Sequence, residues 1–487
     1  MLSDKRIVLF SRPEEAKINH VPCTQTNEYH VFDFDGKHLA FDANSMYLFE
    51  VDDLQARLFT APDQESALRE DFGPAKTAEA LKKNQGLCQL STLMSGTKPT
   101  GSTQRKREYS TLWLHLSHRC NLVCKYCFAD GGSYRKSIKT MDIGTAMRSL
   151  DWLLGMNEKG ASCRLVFFGG EPLLNFEVLK KCVLYGEDQA HDKGMILAFH
   201  LITNGTLITT EIARFLKDHQ ISLQFSLDGP QEVNDFLRPY RNGRGSYGTT
   251  YKNYLLVRKA GIKEISIRST LTHFNTDVFA LQKFFDELGV GRTSLVPVQA
   301  NPGDKCAITA QDIETIQEGY KQIAEEIMLS IQSSEEATLS FFAPYLLQIL
   351  QGKKKRFFCG AGYGFLSVTP DGSLYPCHRL ISQEGFQMGS VHSEFSIPDR
   401  LDEFGAFRVD EKDHCRDCWA RYFCGGGCSA AAYALHGKFS LPDPTLCEIL
   451  RTTVETTLGI YNFVHNHADF MFDYILPGKD PDCTATY

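Results

Sequence analysis

Residues 118–128, His-Arg-Cys-Asn-Leu-Val-Cys-Lys-Tyr-Cys-Phe, are the most informative stretch of this sequence. Their three cysteines, Cys120, Cys124 and Cys127, have the spacing C-x3-C-x2-C. Thiolates are the soft ligands that iron–sulfur clusters take, and a 4Fe–4S cluster has four iron corners. Three cysteines this close together can bind three corners and leave the fourth iron open for chemistry. A structural zinc site is the alternative, but zinc normally takes four protein ligands, and no fourth Cys or His follows at a suitable spacing.

Apolar runs alternate with helical segments through residues 109–301, which predicts parallel βαβ units. Six such units predict an α/β fold with a partial (β/α)6 TIM-type barrel. Sites in such barrels lie at the C-terminal ends of the strands, where the Gly- and Asp-rich motifs of this region fall. The predicted strands are Thr111–Ser117, Arg164–Phe168, Ile196–Thr203, Ile221–Leu227, Glu264–Leu271 and Thr293–Val298, and the predicted helices include Glu177–His191, Thr210–His219, Tyr247–Ala260 and Thr276–Leu288.

The cysteine motif resembles the signature of the radical S-adenosylmethionine (SAM) superfamily, including the aromatic Tyr126 before its last cysteine. This resemblance implies that the free iron chelates the amine and carboxylate of SAM. Reductive cleavage of SAM then yields a 5′-deoxyadenosyl radical that abstracts a hydrogen atom. The resemblance further implies that the Gly-Gly-Glu-Pro motif contacts the methionyl amine, Ser226 and Asp228 the ribose, and Arg238 the carboxylate. The expected cofactor-binding residues are Tyr126, Phe128, Gly169, Gly170, Glu171, Pro172, Asn204, Ser226, Asp228 and Arg238.

A second cysteine group lies downstream, with seven members spaced as Cys359-x17-Cys377, then Cys415-x2-Cys418-x5-Cys424-x3-Cys428, then Cys447. This pattern resembles the SPASM extension of radical SAM enzymes that modify peptides and proteins, and two zinc sites are the alternative. The resemblance implies two auxiliary 4Fe–4S clusters, so that three clusters and SAM are the expected cofactors. Auxiliary cluster I would be held by Cys359, Cys377 and Cys428, and auxiliary cluster II by Cys415, Cys418, Cys424 and Cys447.

The sequence departs from this pattern in one respect. Many relatives have an eighth cysteine shortly before the first of these, whereas this chain has Gly352-Lys353-Lys354-Lys355 there. Auxiliary cluster I would then have three local ligands and an open iron. Our hypothesis is that a substrate thiolate binds this iron, ready to form a carbon–sulfur bond. The alternative is that Cys306 completes the cluster.

The segment before the barrel, residues 1–94, contains no cluster motif. A hairpin with its turn at Asp35-Gly36, a third strand and three short helices are predicted there. This order resembles the winged-helix-like element that recognises leader peptides of ribosomal natural products, by adding the leader as a strand. A generic cap domain is the alternative. The remaining predicted divisions are a flexible linker at 95–108, the barrel at 109–301, a helical bridge at 302–352, the SPASM domain at 353–459 and a tail at 460–487.

Composition limits the function classes. The net charge of -7 argues against nonspecific nucleic-acid binding, and no apolar stretch has the length of a membrane span. The N-terminus has no signal-peptide core, so a cytoplasmic location is expected. In that reducing compartment, the clustering of ten of the 16 cysteines predicts metal binding rather than disulfides.

The expected function is maturation of a ribosomally made precursor peptide. The leading hypothesis is a thioether synthase, an oxidoreductase that joins a substrate cysteine sulfur to carbon after hydrogen abstraction. Its expected partners are the leader and core of that peptide and an electron donor such as flavodoxin or ferredoxin. Formylglycine-type sulfatase maturation is disfavoured because those relatives carry Asp after the second SPASM cysteine, where this chain has His378. Carbon–carbon crosslinking and epimerisation remain open, and a non-catalytic scaffold is disfavoured by the intact motif.

Overall fold

A computed structural model describes residues 29–94, 105–135, 138–333, 341–381, 383–398, 401, 404 and 408–467. Within these residues no helix combines the length and the apolar character needed to cross a bilayer. The strands are β1 (Tyr29–Phe34), β2 (Lys37–Asp42), β3 (Tyr47–Val51), β4 (Thr111–Ser117), β5 (Ser162–Gly169), β6 (Ile196–Thr203), β7 (Ser222–Ser226), β8 (Ile265–Leu271), β9 (Thr293–Pro297), β10 (Phe365–Val368) and β11 (Leu374–Tyr375).

The α-helices lie mainly between the strands of the barrel, and long helices follow its last strand. They are α1 (Asp53–Thr60), α2 (Glu65–Phe72), α3 (Pro74–Met94), α4 (Ile143–Gly155), α5 (Phe176–Lys193), α6 (Thr210–Asp218), α7 (Gln231–Leu237), α8 (Tyr247–Ala260), α9 (Val278–Glu287), α10 (Ala310–Gln332), α11 (Ala343–Leu350), α12 (Arg421–Cys424), α13 (Ser429–His436) and α14 (Pro444–His467).

The larger sheet has the strand order β11-β10-β4-β5-β6-β7-β8-β9. Strands β4 to β9 are parallel and follow one another in chain order, so the barrel is partial and not closed, as predicted. The two strands at the other edge come from the downstream cysteine segment. In particular, β10 pairs in parallel with β4, and β11 pairs antiparallel with β10. The sequence did not predict this junction, because four- and two-residue strands carry little periodic signal.

Side chains along β4 alternate between the two faces of this sheet. Leu112, Leu114 and Leu116 are fully buried in the main hydrophobic core, which also contains residues of the barrel helices. Trp113 and His115 lie on the opposite face, because successive side chains of a strand point to opposite sides. Polar and aromatic residues therefore line the inside of the barrel next to the cysteine loop.

The N-terminal sheet has the order β1-β2-β3, with both pairs antiparallel. The predicted hairpin is confirmed, since Phe34 pairs with Lys37 across Asp35 and Gly36, whose φ angles are 51° and 68°. Two positive φ values are typical of a type I′ turn. Three helices follow, as predicted, although α3 is longer than expected and reaches Met94. One face of the sheet packs on α1 and α3, and the other joins the main core.

The second face of the N-terminal sheet contacts α14 and the cysteine segment. The His30 ring stacks on Trp419 with centroids 3.8 Å apart, and His30 Nε2 lies 2.6 Å from a Glu455 carboxylate oxygen. Helix α14 continues to His467, so the predicted boundary at residue 459 falls inside a continuous helix. At Gly459 the helix lies directly against the Phe34 ring, without room for a Cβ atom.

We expect Gly459→Ala to weaken this contact. The added methyl would overlap Phe34, and such overpacking costs about 1–3 kcal/mol, against about 1 kcal/mol gained from helix propensity. Thermal unfolding should therefore begin at a lower temperature than in the unaltered protein. Gly248→Ala is the matched control, because Gly248 lies in α8 with no heavy atom within 4 Å of the added Cβ. Equal midpoints for the two variants would show that the sheet is not docked on α14.

The end of the predicted linker is ordered against the cysteine segment. Arg105 donates a hydrogen bond to the Cys359 carbonyl, and its guanidinium lies 4.5 Å from the Phe357 ring centroid and 4.4 Å from that of Tyr363. Glu108 N also donates to Tyr363 O at 2.8 Å. Residues 105–108 therefore differ from the flexible linker that their composition predicted, and residues 95–104 lie outside the described part.

Candidate functional site

The cysteine loop follows β4 and is held by backbone hydrogen bonds to the segment after α7. Val123 N donates to Pro239 O and Lys125 N to Leu237 O, both at 2.9 Å. Burial raises the pKa of the Cys120 thiol to about 11 and that of Cys124 to about 12. A metal centre would supply the positive charge that converts such buried thiols to thiolates. The spacing of Cys120, Cys124 and Cys127, rather than this pKa shift, fits the loop to an iron cluster.

Close backbone contact joins this loop to the end of β5. Gly170 N donates to Ser117 O and Glu171 N donates to Arg119 O, both at 2.8 Å. A Cβ at Gly169, where φ is 128°, would overlap Ser117 O, and one at Gly170 would overlap Arg119 O. The two glycines of the predicted motif are therefore needed for the approach of two backbone segments. The family resemblance predicts contact of this motif with the methionyl amine of SAM.

Glu171 is fully buried, and its carboxylate accepts three hydrogen bonds from the protein. Thr203 Oγ1 and Leu173 N donate to Oε1 at 2.7 and 3.1 Å, and Asn204 N donates to Oε2 at 2.8 Å. Burial raises the pKa of this carboxyl, although the hydrogen bonds oppose the shift. In this structure Glu171 ties the ends of β5 and β6 together. Pro172 begins the short 3₁₀ helix that follows.

Tyr126, Asp228 and Arg238 form a buried group next to Cys124. Tyr126 donates its hydroxyl hydrogen to Asp228 Oδ2 at 2.5 Å, and Arg238 Nη1 donates to the Tyr126 oxygen at 2.5 Å. Arg238 also lies 3.7 Å from Asp228. Burial by itself lowers the pKa of Arg238, but its interactions with Cys124, Tyr126 and Asp228 raise it well above its usual value. Arg238 is thus a buried cation.

Asn204 links the end of β6 to the cluster loop. Its Nδ2 donates to Asn121 Oδ1 at 2.9 Å and to Cys120 Sγ at 3.8 Å, while its Oδ1 accepts from Thr206. The sequence interpretation included Asn204 but missed Asn121 and Thr206. Their only signal was the position of polar residues directly after a cysteine or a predicted strand.

Phe128 and Ser226, two further expected SAM contacts, have neighbours outside the group around Arg238. Ser226 ends β7, where it pairs with Arg268 of β8 and is half-buried. The Phe128 side chain is 41% exposed, large for an aromatic ring, and the Arg379 guanidinium lies 4.4 Å from its centroid. His378 approaches the same ring at 5.5 Å. The first cysteine loop and the downstream Cys377 loop therefore meet across Phe128.

The sequence interpretation missed an aromatic wall beside this junction. The His115 ring lies 5.1 Å from Tyr134 and 5.3 Å from Phe168, and both of its nitrogens lack a hydrogen-bond partner among the described residues. Burial lowers the pKa of His115 well below its usual value and that of His378 to about 3. Both imidazoles are therefore neutral at pH 7. A histidine inside a strand has no distinctive spacing from other residues, so the sequence did not indicate that His115 lies at this site.

The downstream cysteines lie in two neighbouring sets. Cys359, Cys377 and Cys428 influence one another electrostatically, as do Cys415, Cys418, Cys424 and Cys447. Burial raises the pKa of Cys359 to about 11 and that of Cys447 to about 12. In the described ranges, no three Cys, His, Asp or Glu side chains are placed to hold a single metal ion. Cluster ligation therefore stays a proposal from spacing, burial and mutual proximity.

Cys306 has different neighbours from these cysteines. It is buried, and the charges that act on it include Lys125 and Asp228, which belong to the first cysteine loop and the group around Arg238. Those that act on Cys359 include Cys428, Arg105 and Lys355. This placement favours the hypothesis of an open position at auxiliary cluster I over completion by Cys306.

Comparison with known proteins places this site in a family. The profile described as the Radical SAM superfamily matches residues 114–278, which run from β4 to α9 and include the first cysteine loop. The chain belongs to the radical SAM superfamily. This confirms the family predicted from Cys120, Cys124 and Cys127, and membership implies a 4Fe–4S cluster and SAM as cofactors.

Relatives of this radical SAM protein include two uncharacterized archaeal proteins. One, from Methanocaldococcus jannaschii, is 37% identical over 164 residues, which are 34% of this chain and 54% of the relative. The other, from Methanothermobacter thermautotrophicus, is 31% identical over 205 residues, 40% of this chain and 72% of the relative. The radical SAM cyclopropyl synthase TigE of Paramaledivibacter caminithermalis is 21% identical over 73% of this chain and 76% of its own. A cysteine-type anaerobic sulfatase-maturating enzyme of Clostridium novyi is 22% identical over 66% of this chain and 88% of its own.

Two solved structures share the fold of this radical SAM protein. The protein anSMEcpe, with bound AdoMet and the Kp18Cys peptide, has a TM-score of 0.63 and 21% identity, covering 73% of this chain and 99% of its own. SuiB of Streptococcus suis, bound to the precursor peptide SuiA, has a TM-score of 0.52 and 15% identity. The match covers 86% of this chain and 98% of SuiB. At these identities the likeness is one of fold.

Proposed function

We propose that this protein is a peptide maturase that installs thioether bonds between a cysteine sulfur and a carbon of a ribosomally made precursor peptide. The observation that carries the proposal is the meeting of two cysteine loops across Phe128. Tyr134, buried beside this ring, is influenced electrostatically by both Cys127 and Cys377. A peptide residue placed between the loops would face the SAM site on one side and the three-cysteine set on the other.

The SAM site would be formed at the carboxyl ends of β4 to β8. When bound there, the cluster and SAM would supply a 5′-deoxyadenosyl radical that takes a hydrogen atom from a substrate carbon. As the substrate thiolate joins that carbon, the surplus electron would pass to auxiliary cluster I or II. The chain's own residues hold this site in place. Glu171 and Asn204 fix the strand ends around Cys120, and the buried cation Arg238 offers a partner for the SAM carboxylate. Ser226 and Asp228 are proposed ribose contacts, although the Asp228 carboxylate is also engaged by Tyr126.

The barrel interior would bind the core peptide. Partly open polar residues lie on the inner faces of its strands, including His200 on β6 and Arg268 on β8, which pair in register with Ser222 and Ser226. His115 and His378 are neutral at pH 7 and add no positive charge to this interior. The missing fourth thiol near Cys359 supports a substrate thiolate as a ligand of auxiliary cluster I.

We further propose that residues 29–94 bind the leader peptide. Their sheet is docked on α14 and on Trp419, next to Cys418. Binding the leader there would raise the effective concentration of the core near the barrel opening. SuiB bound to SuiA offers a precedent for a precursor peptide on this fold. An electron donor such as flavodoxin or ferredoxin would supply the electron for SAM cleavage.

The test is an anaerobic reaction of the reconstituted protein with SAM, a strong reductant and a cysteine-rich precursor peptide encoded nearby. We expect 5′-deoxyadenosine together with loss of two hydrogens per modified peptide site, and resistance of the joined cysteine to alkylation. The control is the same peptide with its cysteines replaced by serine, which should lose no hydrogens. Deoxyadenosine formation with every cysteine still open to alkylation would rule out the thioether.

Formylglycine formation is the second candidate, supported by the similarity to a sulfatase-maturating enzyme. In this chain His378 stands where those relatives have an Asp, and burial keeps its imidazole neutral. The same mass spectrum separates the two, because oxidation of cysteine to formylglycine removes its sulfur from the peptide, whereas a thioether retains it.

A further inference from the structure

Lys412 is a buried lysine between the two downstream cysteine sets. It is 3% exposed, and its Nζ donates to Gly426 O at 2.9 Å and to Phe439 O at 3.2 Å. Gly426 lies in the short loop that joins Cys424 to Cys428, which are the proposed ligands of different clusters. The ammonium is thus held at the point where the two sets are linked through the backbone.

The charges around Lys412 come from cysteines. Burial lowers the pKa of Lys412, and the groups that oppose this shift are Cys415 and Cys424 of one set, and Cys428 and Cys359 of the other. Among the described residues, no carboxylate lies within ion-pair distance of its Nζ. Burial of an uncompensated ammonium is costly, so its position needs negative charge nearby. Cluster-bound thiolates would provide that charge from both sides.

We propose that Lys412 is a counter-charge shared by both auxiliary clusters and that it raises their reduction potentials. This inference rests on the auxiliary clusters of the proposed function, but not on thioether chemistry. A cluster becomes more negative by one charge when it is reduced, and a buried cation stabilises that form because the surrounding medium screens poorly. The position between the sets means that one side chain would act on both clusters.

A structural role is the competing explanation, since the two hydrogen bonds also fix the glycine loop. Three substitutions separate the possibilities. Lys412→Met removes the charge at similar length, Lys412→Gln removes it but keeps a hydrogen-bond donor, and Lys412→Arg keeps it. Lys438→Met, at an exposed position just beyond α13, makes the same change of net charge and is the matched control.

The measurement is an anaerobic potentiometric titration of the reconstituted holoenzyme in the absence of peptide, monitored by EPR. The iron content of each variant is measured on the same samples. At the wild-type midpoint, we expect Lys412→Met and Lys412→Gln to show at least a tenfold lower ratio of reduced to oxidised auxiliary cluster. A tenfold change corresponds to about 59 mV for a one-electron couple. Lys412→Arg and Lys438→Met should stay close to wild type.

This proposal would be overturned by unchanged potentials in an iron-replete Lys412→Met or Lys412→Gln protein, by an equal shift in Lys412→Arg, or by loss of auxiliary iron in both uncharged variants. Iron for one cluster only in the wild type would overturn it together with the auxiliary-cluster assignment. If the potentials shift as expected but the peptide gains no thioether, the proposed reaction is rejected and the role of Lys412 stands.

Discussion

Replacing Cys120 with alanine is expected to abolish formation of 5′-deoxyadenosine, a loss of more than about 10³-fold. Cys120 is the first cysteine of the loop after β4, and its sulfur accepts hydrogen bonds from Leu122 N at 3.4 Å and from Asn204 Nδ2 at 3.8 Å. Without it, the proposed cluster would keep two thiolates from this loop and could not be held as a site with one open iron. The measurement is quantitation of deoxyadenosine after anaerobic incubation with SAM and reductant.

Cys163→Ala is the matched control for this loss. Cys163 is a buried free thiol near the start of β5, at the opposite end of this strand from Gly169, where the first cysteine loop is contacted. The Cys163→Ala substitution removes one sulfur from the barrel. We expect this variant to form deoxyadenosine as the unaltered protein does, with at most a modest decrease in stability. Full activity of Cys120→Ala, or equal losses in both variants, would contradict the role assigned to the loop.

The second large effect is expected from Gly170→Ala. The added Cβ would overlap the Arg119 carbonyl oxygen and lie 3.1 Å from Cys120 N, so the cysteine loop must move away from β5. The neighbours in this clash are backbone atoms, which cannot rotate aside as a flexible side chain can. We expect loss of first-loop cluster iron and at least about a 100-fold weaker SAM cleavage, since small displacements of a reacting site are costly.

Gly248→Ala serves as the control here as well, because its added Cβ meets no heavy atom within 4 Å. Iron analysis and deoxyadenosine formation should be measured on both variants, with circular dichroism to confirm folding. Normal cluster content in Gly170→Ala would show that the loop does not depend on this contact. If Gly170→Ala unfolds, the substitution destabilises the barrel as a whole rather than the cysteine loop alone.

Much of the barrel could be predicted from periodicity. The bounds of β4, β6 and α8 agree with the sequence prediction at both ends, because their apolar residues recur with strand or helix spacing and are bounded by turn residues. The addition of β10 to the edge of the sheet was not predicted. Its pairing with β4 joins residues about 250 positions apart, and the geometry of an exposed sheet edge determines it rather than a local pattern.

The candidate site divides in the same way. The sequence alone determined the family and both cysteine groups, because ligand spacing along a chain is a local property that survives without coordinates. Only the tertiary structure decided which groups meet: Asn204 with Cys120, Phe128 with Arg379, and Lys412 with the loop between Cys424 and Cys428. These contacts join residues from separate elements, and their burial, which sets the pKa values and the charge balance, exists only once the chain has folded.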